Sequence, residues 1–360
     1  MFSEKAKKHA DACRFCWMCR HLCPVQLVTG KETNTPRAKG LQVSMIERGM
    51  EMDAGCGQTM YECLLCGACT NDCVTGFDPL VFIREARTRA VLDDLAPAWA
   101  KTVIDRLEET GNPYGAREAR VNLSGVKASG DTLLWLGSAA RYAVPDVAEA
   151  LMAVLRKASV DDAVLPDEPA SGAMLGDMIG YVEDVRAQAR QAAKAIKASG
   201  ARRMIVLDSQ DAAFFLHECK DWGVELPPVV TATAFVAGLI QEGRLAPRKV
   251  DERVSYHDAM RLARDLDEHA PAREMLAAMG AEVVEMFQHK RLAKAAGSSL
   301  MGQMQPELSA KIAAGRFSDL MRTGAKILVA ADPQATEALR RAVPEGYEYR
   351  DLFVMLNERL

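Results

Sequence analysis

The chain has 360 residues, enough for two or three domains at ~100–200 residues each. Apolar residues make up 49% and charged residues 26%, the balance of a globular protein that fills a core without disulfide staples. Lys and Arg number 45 against 49 Asp and Glu, a net charge of −4, which argues against a general nucleic-acid or anionic-membrane binder. No apolar run reaches the ~18 residues of a membrane-spanning helix; the best, 224–240, is broken by Pro227 and Pro228. The first residues are charged and lack the apolar heart of a secretory signal, so a reducing, cytoplasmic setting is expected.

Nine of the ten cysteines fall between Cys13 and Cys73. Cys13, Cys16, Cys19 and Cys23 read C-x2-C-x2-C-x3-C, followed by Pro24. The spacing returns at Cys63, Cys66, Cys69 and Cys73, followed by Val74 in place of proline. It is the run of bacterial two-cluster ferredoxins, whose fourth cysteine serves the other cluster. Three thiolates at i, i+3 and i+6 can wrap one face of a cuboidal 4Fe–4S cluster. By that rule cluster one takes Cys13, Cys16, Cys19 and Cys73, and cluster two takes Cys63, Cys66, Cys69 and Cys23. Zinc is the competing reading, although its sites pair C-x2-C knuckles with four ligands each. Disulfides would need an oxidising compartment. Cys56 finds no vacant slot and reads as a buried free thiol. His21, between Cys19 and Cys23, reads as a hydrogen-bonded or solvent-side residue.

Between the runs, Thr35 as cap and Pro36 at the first helical position predict a helix through Leu41, Val43, Met45 and Ile46, ended by Gly49. A second amphipathic helix is predicted from Pro79 to Leu95. Residues 1–110 are therefore expected to form a helical cluster domain, not a β-rich ferredoxin. Gly111-Asn112-Pro113-Tyr114-Gly115 is dense in turn residues and opens a linker over 111–130. From 131 to 360 the texture changes. Apolar runs at Thr132–Leu136, Arg203–Leu207, Val254–His257, Glu282–Met286 and Lys326–Ala330 read as buried strands. Helical patterns such as Val182–Ser199 and Pro306–Arg322 lie between them. Such alternation predicts α/β layers with largely parallel sheets. Residues 203–212 resemble 325–335: each strand ends in Asp-x-Gln and passes into a helix, a sign of duplication. The expected fold class is α+β and multidomain: a helical ferredoxin domain followed by a duplicated α/β domain.

With these features together, the chain resembles the heterodisulfide reductase and glycolate oxidase iron–sulfur subunit family, over roughly Ala12 to Leu356. Its members join a helical two-cluster domain to a duplicated domain named for Cys-Cys-Gly motifs. Tyr61-Glu62-Cys63-Leu64-Leu65-Cys66-Gly67-Ala68-Cys69, Pro36-Arg37 and the turn at 111–115 carry the likeness. The second half keeps the scaffold and loses the thiols. Where the family has Gly-Cys, this chain has Gly137-Ser138. The two Cys-Pro-x-Cys elements become Asp208-Ser209-Gln210-Asp211 and Asp332-Pro333-Gln334-Ala335. His-Asp-Pro-Cys becomes His257-Asp258-Ala259-Met260, and Cys-Cys-Gly becomes Ala295-Ala296-Gly297. Iron–sulfur centres need soft thiolates, so this half is expected to hold no cluster and to act as a docking body. Cys219 matches no family position and reads as a buried thiol. His257-Asp258 invites an acid–base reading, and Asp208, Asp211 and Asp332 a hard-cation site; structural and helix-capping roles are favoured for both.

No G-x-G-x-x-G follows a strand and no P-loop is present, so the sequence makes no case for a nucleotide or flavin on this chain. The expected function is single-electron relay by two 4Fe–4S clusters. The resemblance implies a partner flavoprotein dehydrogenase oxidising a small hydroxy acid, or an N-methylated amine or betaine. The acceptor would be electron-transferring flavoprotein or a quinone-linked protein. The competing functions are a heterodisulfide-reductase-like enzyme and an iron–sulfur redox sensor.

Overall fold

A computed structural model describes residues 2–360. Among the described residues, eight α-helices fill the chain up to residue 110: α1 (Glu4–Asp11), α2 (Met18–Leu22), α3 (Pro24–Thr29), α4 (Pro36–Glu47), α5 (Ala54–Tyr61), α6 (Ala68–Asn71), α7 (Pro79–Leu92) and α8 (Ala98–Thr110). Helix α4 begins where the sequence places it. Thr35 Oγ1 accepts the Ala38 N–H at 3.2 Å, and Pro36 costs no hydrogen bond at N1. It ends at Glu47, and Gly49 then takes a positive φ of 102°. Helix α7 starts behind the Asp78 cap, whose Oδ1 accepts the Leu80 N–H at 3.0 Å. It stops at Leu92 instead of running to Leu95, because Asp94 turns the chain at a φ of 58°.

The remaining residues build two four-stranded sheets. The first contains β1 (Thr132–Trp135), β2 (Asp162–Ala163), β3 (Arg203–Val206) and β4 (Val229–Thr231), in spatial order β2-β1-β3-β4. The second contains β5 (Glu252–Tyr256), β6 (Ala281–Val283), β7 (Ile327–Ala330) and β8 (Glu348–Asp351), in order β6-β5-β7-β8. All six pairings are parallel, and Leu133↔Met204 and Ser255↔Leu328 set equivalent registers. The two orders are the same order repeated, so the duplication glimpsed at 203–212 and 325–335 extends to whole sheets. The expected α+β class with a helical N-terminal portion holds. The strand read at Glu282–Met286 is shorter and begins earlier, at Ala281.

Strand alternation explains the layering. Leu133, Trp135, Met204 and Val206 point into a core shared with Val43, Met60, Phe82, Ile83 and Ala86 of the N-terminal helices. Their neighbours Leu134, Leu136, Ile205 and Leu207 point the other way, into a core with Val254, Tyr256 and Val329 of the second sheet. Leu328 and Ala330 close a third core with Phe317 and Leu320. The cysteine-bearing helices therefore rest on the first sheet's layer. The two halves are also latched at equivalent strand ends. Asp332 Oδ1 accepts from Ser209 Oγ at 2.6 Å and Ser209 N–H at 3.1 Å, while Gln334 Nε2 donates to Asp208 at 3.2 Å and to Gln210 Oε1 at 2.9 Å. Among the described residues no helix is long and apolar enough to cross a membrane.

Candidate metal centre

The two cysteine runs adopt one backbone shape. Phe15 and Trp17 in the first have φ of 57° and 68°; Leu65 and Gly67 in the second have 50° and 74°. In each, the third residue turns its N–H back on the first sulfur: Phe15 to Cys13 Sγ at 3.4 Å, Leu65 to Cys63 Sγ at 3.3 Å. Helices α2 and α6 then start at the residue after the left-handed one. A left-handed conformation costs Gly67 nothing, whereas Trp17 gives up ~1–2 kcal/mol. Trp17 is held by Arg37, whose guanidinium lies 3.6 Å from the indole centroid.

The structure gathers the thiols into two neighbourhoods. Burial pushes the Cys19 thiol up to about 11, and Cys13, Cys16 and Cys73 are the thiols whose charge adds to that rise. Burial pushes Cys69 well above the ordinary thiol value, aided by Cys66, Cys63, Cys23 and, last, Cys19. Cys23 rises to about 12 through burial, with Lys39 opposing and Cys63 and Cys66 adding. Cys73 goes the other way: its own burial is outweighed by Thr75, whose Oγ1 lies 3.2 Å from the sulfur, and by nearby N–H groups. Cys56 and Cys219 stand apart, both buried. His21 lies on α2 between the first-run thiols and the chain's turn into α3.

The neighbourhoods differ in exposure. Cys16 is open to solvent beside Phe15 (49% exposed), Trp17 (43%) and Met18. In the second run Leu64 and Leu65 are buried. Cys23, Cys63, Cys66 and Cys69 line one pocket whose charged lining side chains are Lys39 and Glu62. Arg87, from α7, donates to the Cys63 carbonyl at 2.6 Å. Arg264, from the far half of the chain, donates to the Cys66 carbonyl at 2.6 Å. Neither Lys39, Arg87 nor Arg264 was singled out by the sequence, since no spacing links them to the cysteine runs.

These residues fit a 4Fe–4S cluster at each neighbourhood. Soft thiolates are the required donors. Buried thiols that resist ionisation are released to thiolates by a coordinating metal. A mainly apolar pocket with Lys39 in its wall, and with Arg87 and Arg264 on the backbone of its cysteine run, suits an anionic group. Among the described residues no three His, Cys, Asp or Glu side chains close on a single-ion site. Mononuclear zinc would draw its sulfurs to within ~2.3 Å of one ion.

The second half spends its polar residues on structure. His257 is buried; it accepts the Arg316 Nε–H at 3.2 Å and is pushed down to about 3 by burial and by that guanidinium. Asp258 pairs with Arg273 at 2.7 Å and accepts the Lys290 N–H at 2.7 Å. Asp208 and Asp332 cap the helices Ser209–Phe214 and Pro333–Arg340. Asp211 accepts from Trp135 Nε1 at 2.8 Å and Ser171 Oγ at 2.5 Å. Each group named in the acid–base and hard-cation readings is thus engaged in a hydrogen bond or ion pair within the fold.

Residues 9–77 match the family described as "4Fe-4S dicluster domain". The chain is 28% identical over 310 residues to a "Probable membrane-anchored ferredoxin" of Chromohalobacter salexigens, covering 80% of this chain and 45% of that protein. It is 25% identical over 389 aligned positions to one of the subunits of the dihydromethanophenazine:CoB–CoM heterodisulfide reductase of Methanosarcina acetivorans, covering 97% of this chain and 94% of that protein. An "EtfAB:quinone oxidoreductase" of Syntrophomonas wolfei is 24% identical over 73% of this chain and 39% of its own length. The chain thus spans less than half of two of these relatives and nearly all of the third. A crystal structure of a hypothetical protein from Helicobacter pylori shares the fold at a TM-score of 0.58 and 12% identity, over all of this chain and 74% of that one.

Proposed function

This chain belongs to the heterodisulfide reductase-like iron–sulfur family, and we propose that it is the electron-carrying subunit of a larger flavin-dependent dehydrogenase. The supporting observation is the contrast between two like-shaped cysteine loops, one open to solvent at Cys16 and the other enclosed against the chain's second half. Cys13, Cys16, Cys19 and Cys73 would hold one 4Fe–4S cluster, and Cys63, Cys66, Cys69 and Cys23 the other. Bound there, the clusters supply one-electron transfer at potentials set by charge, burial and hydrogen bonds. Phe15 and Leu65 orient the first sulfur of each run by their N–H groups. Leu64, Leu65 and Ile83 exclude water from the inner site. Phe15, Trp17 and Met18 form the apolar rim at which a redox partner would meet the outer one.

Residues 1–110 act as the cluster domain, 111–130 as the link and 131–360 as the docking body. Tyr114 supports a tight link: its hydroxyl donates to Glu337 Oε2 at 2.5 Å. The docking role rests on what fills the family's thiol positions: Ser138, Asp208, Asp211, Met260, Ala295, Ala296, Asp332 and Ala335 offer no thiolate. The partner is a flavoprotein that oxidises a small hydroxy acid or an N-methylated amine or betaine, and the acceptor is electron-transferring flavoprotein or a quinone-linked protein. Thiols kept for iron belong in a reducing compartment.

The test is an anaerobic pull-down of the native protein with iron and flavin quantified together. About eight iron per chain and a co-purifying flavoprotein are expected, and Cys66→Ser should remove about four of the iron. Iron with neither partner nor flavin would replace this reading with a free carrier or a sensor. Full iron content in Cys66→Ser would overturn the ligand assignment.

A further inference from the structure

Among the described residues, three cations beside the inner cysteine set have no carboxylate partner. Lys39 is buried and donates only to the carbonyls of Asn34 at 3.2 Å and Thr33 at 3.4 Å. Arg87, also buried, donates to the carbonyls of Cys63, Asp177 and Met60 at 2.6, 2.6 and 2.9 Å. Arg264 donates to the carbonyls of Cys66 and Ala293 at 2.6 and 2.7 Å, and its Nη2 is buried with no hydrogen-bond partner.

Carbonyl dipoles satisfy hydrogens but do not cancel charge, and an uncompensated buried charge is strongly unfavourable. The surrounding charges do not supply the missing balance. Asp177 is shared by Arg84 at 2.9 Å and Arg261 at 2.7 Å, and Arg261 also takes Asp265 at 2.9 Å. Glu62 is the carboxylate at the cavity, where it accepts from Asn34 at 2.6 Å and Gln58 at 2.9 Å. Three cations against Glu62 leave an excess of positive charge. An oxidised 4Fe–4S core with four thiolates is a dianion, and reduction adds one further negative charge. The outer loop is different. Arg37 there is paired with Glu32 at 2.9 Å, and water and salt reach the site.

We propose that Lys39, Arg87 and Arg264 are the counter-charge of the inner cluster and hold its reduction potential up against burial. The proposal rests on the iron–sulfur reading above. It also gives the second half of the chain a task beyond docking, because Arg264 belongs to it. These are positioning charges: Arg87 and Arg264 touch the cysteine backbone, and all three act on the cluster through space.

The test is an EPR-monitored potentiometric titration of the full chain under anaerobic conditions, with iron measured on each sample. Arg264→Gln should move one of the two midpoints to a more negative potential and leave the other in place. Lys39→Gln should move the same midpoint in the same direction. Arg264→Lys, which keeps the charge, should return it toward the wild-type value. Arg37→Gln should leave that midpoint unmoved. Both midpoints fixed, or both displaced together, in variants holding about eight iron would overturn the proposal. A wild-type chain lacking that iron would overturn the functional reading instead, so the two failures are distinguishable.

Discussion

His257 is an uncharged imidazole at neutral pH. Its Nδ1 must stay unprotonated to accept from Arg316, and burial beside that guanidinium holds its pKa at about 3 against an ordinary 6.5. Between those values the unfolded chain binds a proton that the folded chain refuses. Stability from this residue is therefore complete above pH 6.5 and is lost as pH falls toward 3. Glu168 works in the opposite sense. Burial raises it from 4.5 to about 7, so its contribution is complete below 4.5 and declines as pH rises through 7. A difference experiment isolates the histidine. His257→Asn keeps an acceptor and removes the titration. Denaturant melts of both proteins should show the wild type losing stability relative to the variant on acidification from pH 6.5 to 3. A pH-independent difference would show that His257 ionises normally. The His257-Asp258 pair and its structural role were legible in the sequence, but its partners were not, because Arg316 and Arg273 reach it from other helices.

Helix α5 depends on one residue having no side chain. A Cβ on Gly57 would sit 2.3 Å from the Leu95 carbonyl oxygen, a backbone atom that cannot rotate away. Gly57→Ala should therefore force α5 from the turn that follows α7 and cost about 1–3 kcal/mol. Gly315 offers the opposite case. It lies inside the helix Pro306–Met321 with open space where a Cβ would go, and Gly315→Ala should add roughly 0.5–1 kcal/mol. Thermal or urea melts of the two variants should move in opposite directions; a shared direction would refute the packing argument. Local signals made many elements readable. Thr35-Pro36 announces α4, and the apolar stretches at β1, β3 and β7 announce buried parallel strands. Strands β2, β4 and β8 escaped because the first is only Asp162–Ala163, the second follows Pro227-Pro228, and the third alternates charges at Glu348, Arg350 and Asp351. What defines them is pairing with β1, β3 and β7, a property of the tertiary fold.

The molecule as a whole is a graded stack, and its grading has a consequence for the metal. One core ties α4, α5 and α7 to β1 and β3, while β5 and β7 complete their packing with residues from both sheets and from Phe317 and Leu320. The cysteine runs were legible because each is local and its spacing is chemically specific. The cations around them were not, because Lys39, Arg87 and Arg264 meet only when the chain is folded. Stripping iron would leave those cations facing protonated thiols, and buried positive charge without an anion is destabilising. The loss should be greatest near the metal and fade with distance, as local opening does in other proteins. Hydrogen exchange followed by mass spectrometry, on the full chain before and after anaerobic chelation, reads this directly. Protection should fall across 13–73 and in α7, fall less in β1 and β3, and persist in β5 to β8. Equal loss through β5 to β8 would mean that the halves unfold as one unit with the metal. Unchanged protection at 13–73 would mean that the cations find their balance without it, and the counter-charge proposal would fall.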